Sequence, residues 1–237
     1  MPSSRLWSRP RLILAMHAAV GMLWVAAFVG EPVPRYTPAV GLAGYIALGF
    51  ALTRRANALA EEAHRDPLTH VLTRGAFDAA FAERFVRLGR RQRPLALLLI
   101  DLDGLKVIND SLGHRAGDAA LRRVGECLLR TVRASDLVAR YGGDEFIVAA
   151  EDTGSRDALR LAERLRASLC SLGPEDPFDA APTVSIGVSV TPNWGVASVS
   201  QRSLFEAADH ALYRSKNSGG DCANLGQVGW LMPRGVA

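Results

Sequence analysis

Two glycines and two adjacent carboxylates, Gly142-Gly143-Asp144-Glu145, stand between the short apolar runs Leu137-Val138-Ala139 and Phe146-Ile147-Val148-Ala149. Apolar flanks with β-branched residues around a Gly-Gly pair signal a hairpin with a two-residue turn. A plain hairpin accounts for the glycines but not for acids where the chain re-enters a buried strand, because an unpaired carboxylate there is costly to desolvate. A bound cation removes that cost. A second acidic pair, Asp101 and Asp103, closes the apolar run Leu95 to Ile100, and strand alternation puts both on one face with Leu102 on the other. One aspartate in such a place is often only a helix cap. Hard oxygen ligands from two strands, with positions left open for water and phosphate, describe a Mg²⁺ site rather than a zinc or calcium cage. The same arrangement serves two-metal nucleotidyl transfer.

The residues after the first acidic pair extend this chemistry. The tight Asp103-Gly104 turn exposes backbone N–H groups, those of Gly104 and Leu105, where a triphosphate would lie, and Lys106 follows as a counter-charge. Asn109 and Asp118 offer an amide and a carboxylate suited to a guanine edge. Taken singly, Asn109-Asp110 reads as a helix stop and Asp118 as an acid in a helix's first turn. Lysine is scarce: of 28 cationic residues only Lys106 and Lys216 are lysines. A compact ammonium kept in an arginine-rich chain points to a point-charge role.

These residues need elements to hold them. The pattern predicts a helix over about Ala76 to Arg91, a strand Leu95 to Ile100, a helix from about Ala116 to Thr131, the hairpin, a helix over about Arg156 to Ser171, a strand Thr183 to Val190 and a helix from about Gln201 to Ser215. Apolar strands alternating with amphipathic helices make an α/β layered domain, and the order β-α-β-β-α-β is that of the split, ferredoxin-like unit. In that topology the first strand and the hairpin are neighbours, so Asp101 faces Asp144. Asp66-Pro67-Leu68-Thr69 ends a preceding helix and opens the domain.

The 237-residue chain carries a net charge of +4, but six arginines against Glu31 alone give +5 up to Arg55 and leave −1 for the rest. The positive excess flanks apolar segments, so a nucleic-acid footprint is unsupported. Residues 12–30 and 36–53 carry no charge. Each is long enough to cross most of a bilayer core of roughly 30 Å, and together they read as a transmembrane hairpin. A cleaved signal peptide fits the arginine-rich start but not the second apolar run. Arg5, Arg9, Arg11, Arg54 and Arg55 outweigh lone Arg35 and place both ends in the cytoplasm. Leu52, Ala56, Leu59 and Ala63 continue as a seam through a helical stalk, which suits a short parallel coiled coil. The expected organisation is a hairpin over 1–53, a stalk over 54–65, a domain over 66–225 and a tail over 226–237. Cys127, Cys170 and Cys222 are scattered and lack metal-ligand spacing, which suits a reducing compartment.

Asp101-Leu-Asp103-Gly-Leu-Lys106-Val-Ile-Asn109-Asp110, Gly113-His114, Gly117-Asp118 and Arg140-Tyr-Gly-Gly-Asp-Glu-Phe146 together resemble the motifs of the GGDEF-domain diguanylate cyclases. Asp66-Pro-Leu-Thr69, Thr183-Val-Ser-Ile-Gly187 and Asp209-His-Ala-Leu-Tyr213-Arg-Ser-Lys216-Asn-Ser-Gly219 are similar to further motifs of that family. The resemblance covers roughly Asp66 to Leu225. It implies a palm-type, nucleotidyl-cyclase domain that condenses two GTP into cyclic di-GMP and two pyrophosphates across a homodimer, one GTP per protomer. It further implies Mg²⁺, or Mn²⁺, on Asp101, the Leu102 carbonyl and Asp144, with Asp144 or Glu145 assisting the 3′-hydroxyl. Lys106 and Lys216 would hold the phosphates beside the backbone of Gly104, Leu105, Gly142 and Gly143, with Lys106 in a catalytic role. Asn109 and Asp118 would read guanine, and Arg133-Ala-Ser-Asp136 would bind product at an inhibitory site, whose plain alternative is an exposed helix end. With the hairpin, the implied location is a bacterial inner membrane, the domain in the cytoplasm.

The sequence departs from that pattern in two places. Gly219-Gly220-Asp221-Cys222 stands where the family usually has Gly-Arg-Asn-Arg, so an arginine near the γ-phosphate is missing. His70, Thr73 and Gly75 replace the more usual Gly, Asn and Arg. Loss of one charge-assisted phosphate contact costs about 1.5 to 3 kcal/mol, a ten- to hundredfold weakening. A slower cyclase follows, or a binding module whose catalysis has lapsed.

Overall fold

The computed structural model describes residues 37–169, 182–192 and 199–228 and divides after Glu62 into two units. The described part of the first unit is the helix α1 (Thr37–Ala63), which runs on past Thr53 without a break. Leu42, Ile46 and Phe50, spaced one turn apart, are exposed on it. Among the described residues no helix is long and apolar enough to cross a membrane. The expected second span is therefore not seen as a membrane-crossing helix: glycines 41, 44 and 49 dilute its apolar residues and it leads straight into Arg54-Arg55. The expected first span, 12–30, lies outside the described residues.

The second unit is built on a six-stranded sheet. Its elements are β1 (Leu72–Thr73), α2 (Arg74–Arg90), β2 (Leu95–Leu102), α3 (Leu105–Leu112), α4 (His114–Thr131), β3 (Leu137–Arg140), β4 (Glu145–Glu151), α5 (Ser155–Leu169), β5 (Val184–Val190), α6 (Gln201–Asn217) and β6 (Ala223–Leu225). The strand order is β1-β3-β4-β2-β5-β6. The central β3-β4-β2-β5 block is antiparallel throughout, the split arrangement read from the sequence, while β1 and β6 add parallel pairs at the two edges.

β2 takes the middle because it is apolar on both faces, as a doubly covered strand must be. Leu95 and Leu97 pack against Phe77 and Phe81 of α2 and Leu204 of α6. Ala96, Leu98, Ile100 and Leu102 pack against Leu121 and Val124 of α4 and Leu161 and Leu165 of α5. Each fully buried leucine stabilises the fold by about 1.5 to 3 kcal/mol relative to exposure. α6 lies hard against β5, because Gly187 has no side chain and a Cβ there would overlap the Ala208 carbonyl and the Leu212 N–H. Its start is set by Ser200, whose Oγ accepts from the Ser203 N–H at 3.0 Å.

Two local features differ from expectation. Residues 105–112 form a helix rather than a turn and a stop. Left-handed Gly104 (φ 69°) and Gly113 (φ 84°) bracket it, and it is held by Leu105 and Ile108 leaning on the core. Eight residues are too few for periodicity to outweigh the Asn109-Asp110 stop signal. The hairpin also reverses through a wider turn than two residues: Arg140 pairs with Phe146, and neither Gly142 nor Gly143 has a positive φ.

Candidate active site

β2 delivers Asp101 to the end of the sheet, buried, and Asp103 just beyond on the same face, while Leu102 points into the opposite core. The register pairs Asp101 directly with Glu145, and the Leu102 N–H donates to the Asp144 carbonyl at 3.1 Å. The structure therefore brings the two acidic stretches together, with Glu145 rather than Asp144 as the cross-strand partner of Asp101.

The last turn of α6 contributes Lys216, whose Nζ lies 2.7 Å from Asp101 Oδ2. Burial pushes the Asp101 carboxyl up from its ordinary range; the Lys216 hydrogen bond and charge pull it down, and the negative charges of Asp144 and Glu145 push it up again. Burial on its own would lower the Lys216 ammonium, but Asp101, with Asp144 and Glu145 behind it, raises it. Three carboxylates against one ammonium leave an excess of negative charge, which is how a site for a hard divalent cation is prepared. Among the described residues no set of three or more His, Cys, Asp or Glu side chains forms a ready metal cluster. The donors that fit are two carboxylates, Asp101 and Asp144, with the Leu102 carbonyl between them in sequence.

Asp103 does something else. Its carboxylate accepts from Thr183 Oγ1 at 2.9 Å, Ser185 Oγ at 2.7 Å and the Asp221 N–H at 3.0 Å. It pins the loop after α6 to the end of β2. That loop turns through left-handed Gly219 (φ 105°), Gly220 (φ 79°) and Asp221 (φ 46°), and Arg166 of α5 holds the Asp221 carboxylate at 2.9 Å.

On the other side of the β2 terminus, α3 carries exposed Lys106 and half-buried Asn109. Asn109 reaches α4 at Gly117, where a methyl group would overlap its amide, and Asp118 is the next residue. Gly104 caps α3 and Leu105 begins it. Asn109 thus meets α4 through a glycine that the sequence presented only as a helix residue, one position before Asp118.

The hairpin tip is tied down by contacts that spacing in the sequence did not announce. The Tyr141 and Gly142 N–H groups both donate to the Glu145 carbonyl, at 2.7 and 3.2 Å, and a Cβ on Gly142 would stand 2.6 Å from Glu145 Oε2. Arg140 donates through Nη2 to the Gly143 carbonyl at 2.6 Å and reaches Asp66 Oδ1 at 3.4 Å. Asp66 Oδ1 also accepts from the Thr69 N–H at 2.9 Å and Thr69 Oγ1 at 2.7 Å. Burial would raise the Asp66 carboxyl, but the Thr69 and Arg140 contacts outweigh it and hold it below the ordinary range. His70 is left-handed (φ 59°) where the family more often has glycine. An arginine directly after an apolar strand was the available signal, and nothing in spacing named its partner.

At the opposite side of β3, Arg133 and Asp136 close a turn on themselves. The Arg133 N–H donates to Asp136 Oδ2 and the Asp136 N–H to the Arg133 carbonyl, both at 2.9 Å. Arg84 of α2 donates to the Ser135 carbonyl in that turn and pairs with Glu151. The turn follows α4 rather than ending it, and the Arg133 side chain is exposed.

The model of the family described as diguanylate cyclase, GGDEF domain, matches residues 63–222. The chain belongs to this family. Among curated proteins, this GGDEF chain is 36% identical over 161 residues to a probable diguanylate cyclase, DgcT, of Escherichia coli K12, covering 66% of this chain and 34% of that protein. It is 43% identical over 133 residues to the response regulator PleD of Caulobacter vibrioides, covering 53% and 28%. The GGDEF chain thus spans about a third of the length of the curated relatives it matches. Among solved structures, the coiled coil and GGDEF domain of DgcB from Caulobacter crescentus, in complex with c-di-GMP, superimposes with a TM-score of 0.71 at 27% identity, covering 79% of this chain and 98% of that one.

Proposed function

We propose that this GGDEF protein is a diguanylate cyclase, joining two GTP into cyclic di-GMP with release of two pyrophosphates across a homodimer. The observation that carries the reading is the buried Asp101 at the end of β2, with Glu145 opposite it, Asp144 beside it and one lysine set against the three. A bound Mg²⁺ or Mn²⁺ would supply charge neutralisation at the triphosphate; Asp101, Asp144 and the Leu102 carbonyl are the groups that would hold it.

The remaining work falls to the chain. Backbone N–H groups around Gly104 and Leu105, with Lys106, face the phosphates, and Asn109 with Asp118 hold the guanine. A carboxylate oxygen of Asp144 or Glu145 accepts the proton of the GTP 3′-hydroxyl as the 3′-oxygen bonds to the α-phosphorus of the GTP on the partner protomer and pyrophosphate leaves. The reciprocal attack closes the ring, so neither protomer suffices alone. Product binding at Arg133 and Asp136 is the proposed brake.

Purified protein given GTP and Mg²⁺ is expected to form cyclic di-GMP, and Asp144→Asn to form none. A folded dimer without product overturns the reading. One observation favours a lapsed, product-sensing module instead: Gly220 leaves the phosphate end without its arginine. No turnover in the parent, with cyclic di-GMP binding that survives Asp144→Asn and is lost in Arg133→Ala, would select it. Anchoring at a bacterial inner membrane, the domain facing the cytoplasm, is a separate part of the proposal. It is supported by the apolar run 12–30 and by exposed Leu42, Ile46 and Phe50 on α1. Recovery of the full chain in a washed, high-salt membrane fraction is the expected result, and recovery in the supernatant overturns it.

A further inference from the structure

The Lys216–Asp101 pair joins two groups to which the proposed reaction gives different partners, the lysine a phosphate and the aspartate a metal. In the structure they hold each other at 2.7 Å. The two ends of the pair are held unequally. Asp101 is fixed in a paired strand with its side chain 8% exposed, whereas the Lys216 side chain is 44% exposed and reaches in from solvent. The root of the lysine is firm, because Ser215 beside it is buried and its Oγ donates to the Ile186 carbonyl of β5 at 2.8 Å. The flexible four-carbon stem is then the moving part, able to swing its ammonium without disturbing α6. The other charges nearest Asp101, those of Asp144 and Glu145, are negative, so the pocket needs a cation before substrate arrives.

We propose that Lys216 is a resident counter-ion that occupies the metal-binding carboxylate while the site is empty and is handed to the phosphates when metal and GTP enter together. The lysine then competes with bare metal for Asp101 and cooperates with metal-bound GTP. Nucleotide-free metal binding is weak as a result, and metal and nucleotide bind with positive coupling. This rests on the cyclase reading for the destination of the lysine but not for its competition with metal.

The test is a titration of the nucleotide-free protein with Mn²⁺, followed by the electron paramagnetic resonance of the free ion. Lys216→Met is expected to bind Mn²⁺ roughly tenfold tighter than the parent, as removal of one charge-assisted contact to the ligand implies. Lys216→Arg, which can still pair with Asp101, is expected to stay near the parent, and Asp101→Asn to lose the site. Binding of a non-hydrolysable GTP analogue with Mg²⁺ should move the other way, weaker in Lys216→Met. Metal affinity unchanged or reduced in Lys216→Met, or analogue binding undiminished, overturns the proposal. If Lys216→Met fails to fold, as judged by thermal melting, Lys216→Gln gives the same reading. Because no turnover enters, a catalytically silent protein that keeps this order of metal affinities refutes the cyclase while leaving the competition intact.

Discussion

Asp144 illustrates a conflict confined to single side chains. Its charge works against a neighbouring buried carboxylate in the empty site, so a neutral isostere relieves repulsion while removing a proposed metal ligand. Asp144→Asn is expected to raise the melting temperature of the metal-free domain by a few degrees while abolishing product, and a melting scan in chelator beside the turnover assay checks both at once. Asp103 behaves in the opposite way. Asp103→Ala leaves the hydroxyls of Thr183 and buried Ser185 and the Asp221 N–H without an acceptor, at about 1 to 3 kcal/mol for each group left dry. Denaturant unfolding should show a large loss of stability. Gly117→Ala is the specific probe of the proposed base pocket: its methyl group displaces the Asn109 amide, so the KM for GTP should rise and the preference over ATP narrow, with little change in kcat.

Between elements, the most exacting contact is α6 on β5 at Gly187. Gly187→Ala forces the helix off the strand and carries Lys216 with it, so stability should fall by more than the 1 to 3 kcal/mol typical of overpacking, read as a drop in the denaturation midpoint. The hairpin tip depends on Asp66, which joins the start of the domain to Arg140. Its carboxyl is held below the ordinary range, so the folded state binds fewer protons there than the unfolded chain. The stability it contributes is fully present above the ordinary carboxylate range and is lost as pH falls through the depressed folded value. Melting temperatures of the parent and of Asp66→Asn should therefore begin to approach one another near about pH 4 and meet only below it, the parent being the more stable above. The elements themselves are mostly legible in the sequence: β2, β4 and β5 are apolar runs with clear ends, and α2, α4, α5 and α6 repeat at helical spacing. α3 is not, because eight residues bracketed by left-handed glycines leave a pattern too short to read. β1 and β6, of two and three residues, exist only through their parallel neighbours and have no signal of their own.

At the scale of the molecule, the acidic cluster was readable because carboxylates in apolar runs are conspicuous. Its lysine was readable as a rare residue type and, by resemblance, as a phosphate contact, but not as the partner of Asp101: nothing in spacing announces that the end of α6 meets the end of β2, a contact that spans more than a hundred residues and is set by α6 packing on β5 beside β2. If two protomers each bring one GTP, specific activity must fall on dilution. Product formed per molecule is expected to decline with decreasing protein concentration in the domain beginning at Asp66, and to decline less when residues 37–65 are retained; activity independent of concentration in both would contradict the dimer.

The missing arginine at position 220 invites repair by a single substitution, and the backbone argues that repair will miscarry. Gly220 has φ 79°, and any side chain there begins 3.2 Å from the carboxylate of Asp103. An introduced guanidinium would meet that acid before it met a nucleotide, and would draw it away from the three donors that keep the loop in place. On this geometry a cation at position 220 needs a different course of the loop before it can reach a phosphate.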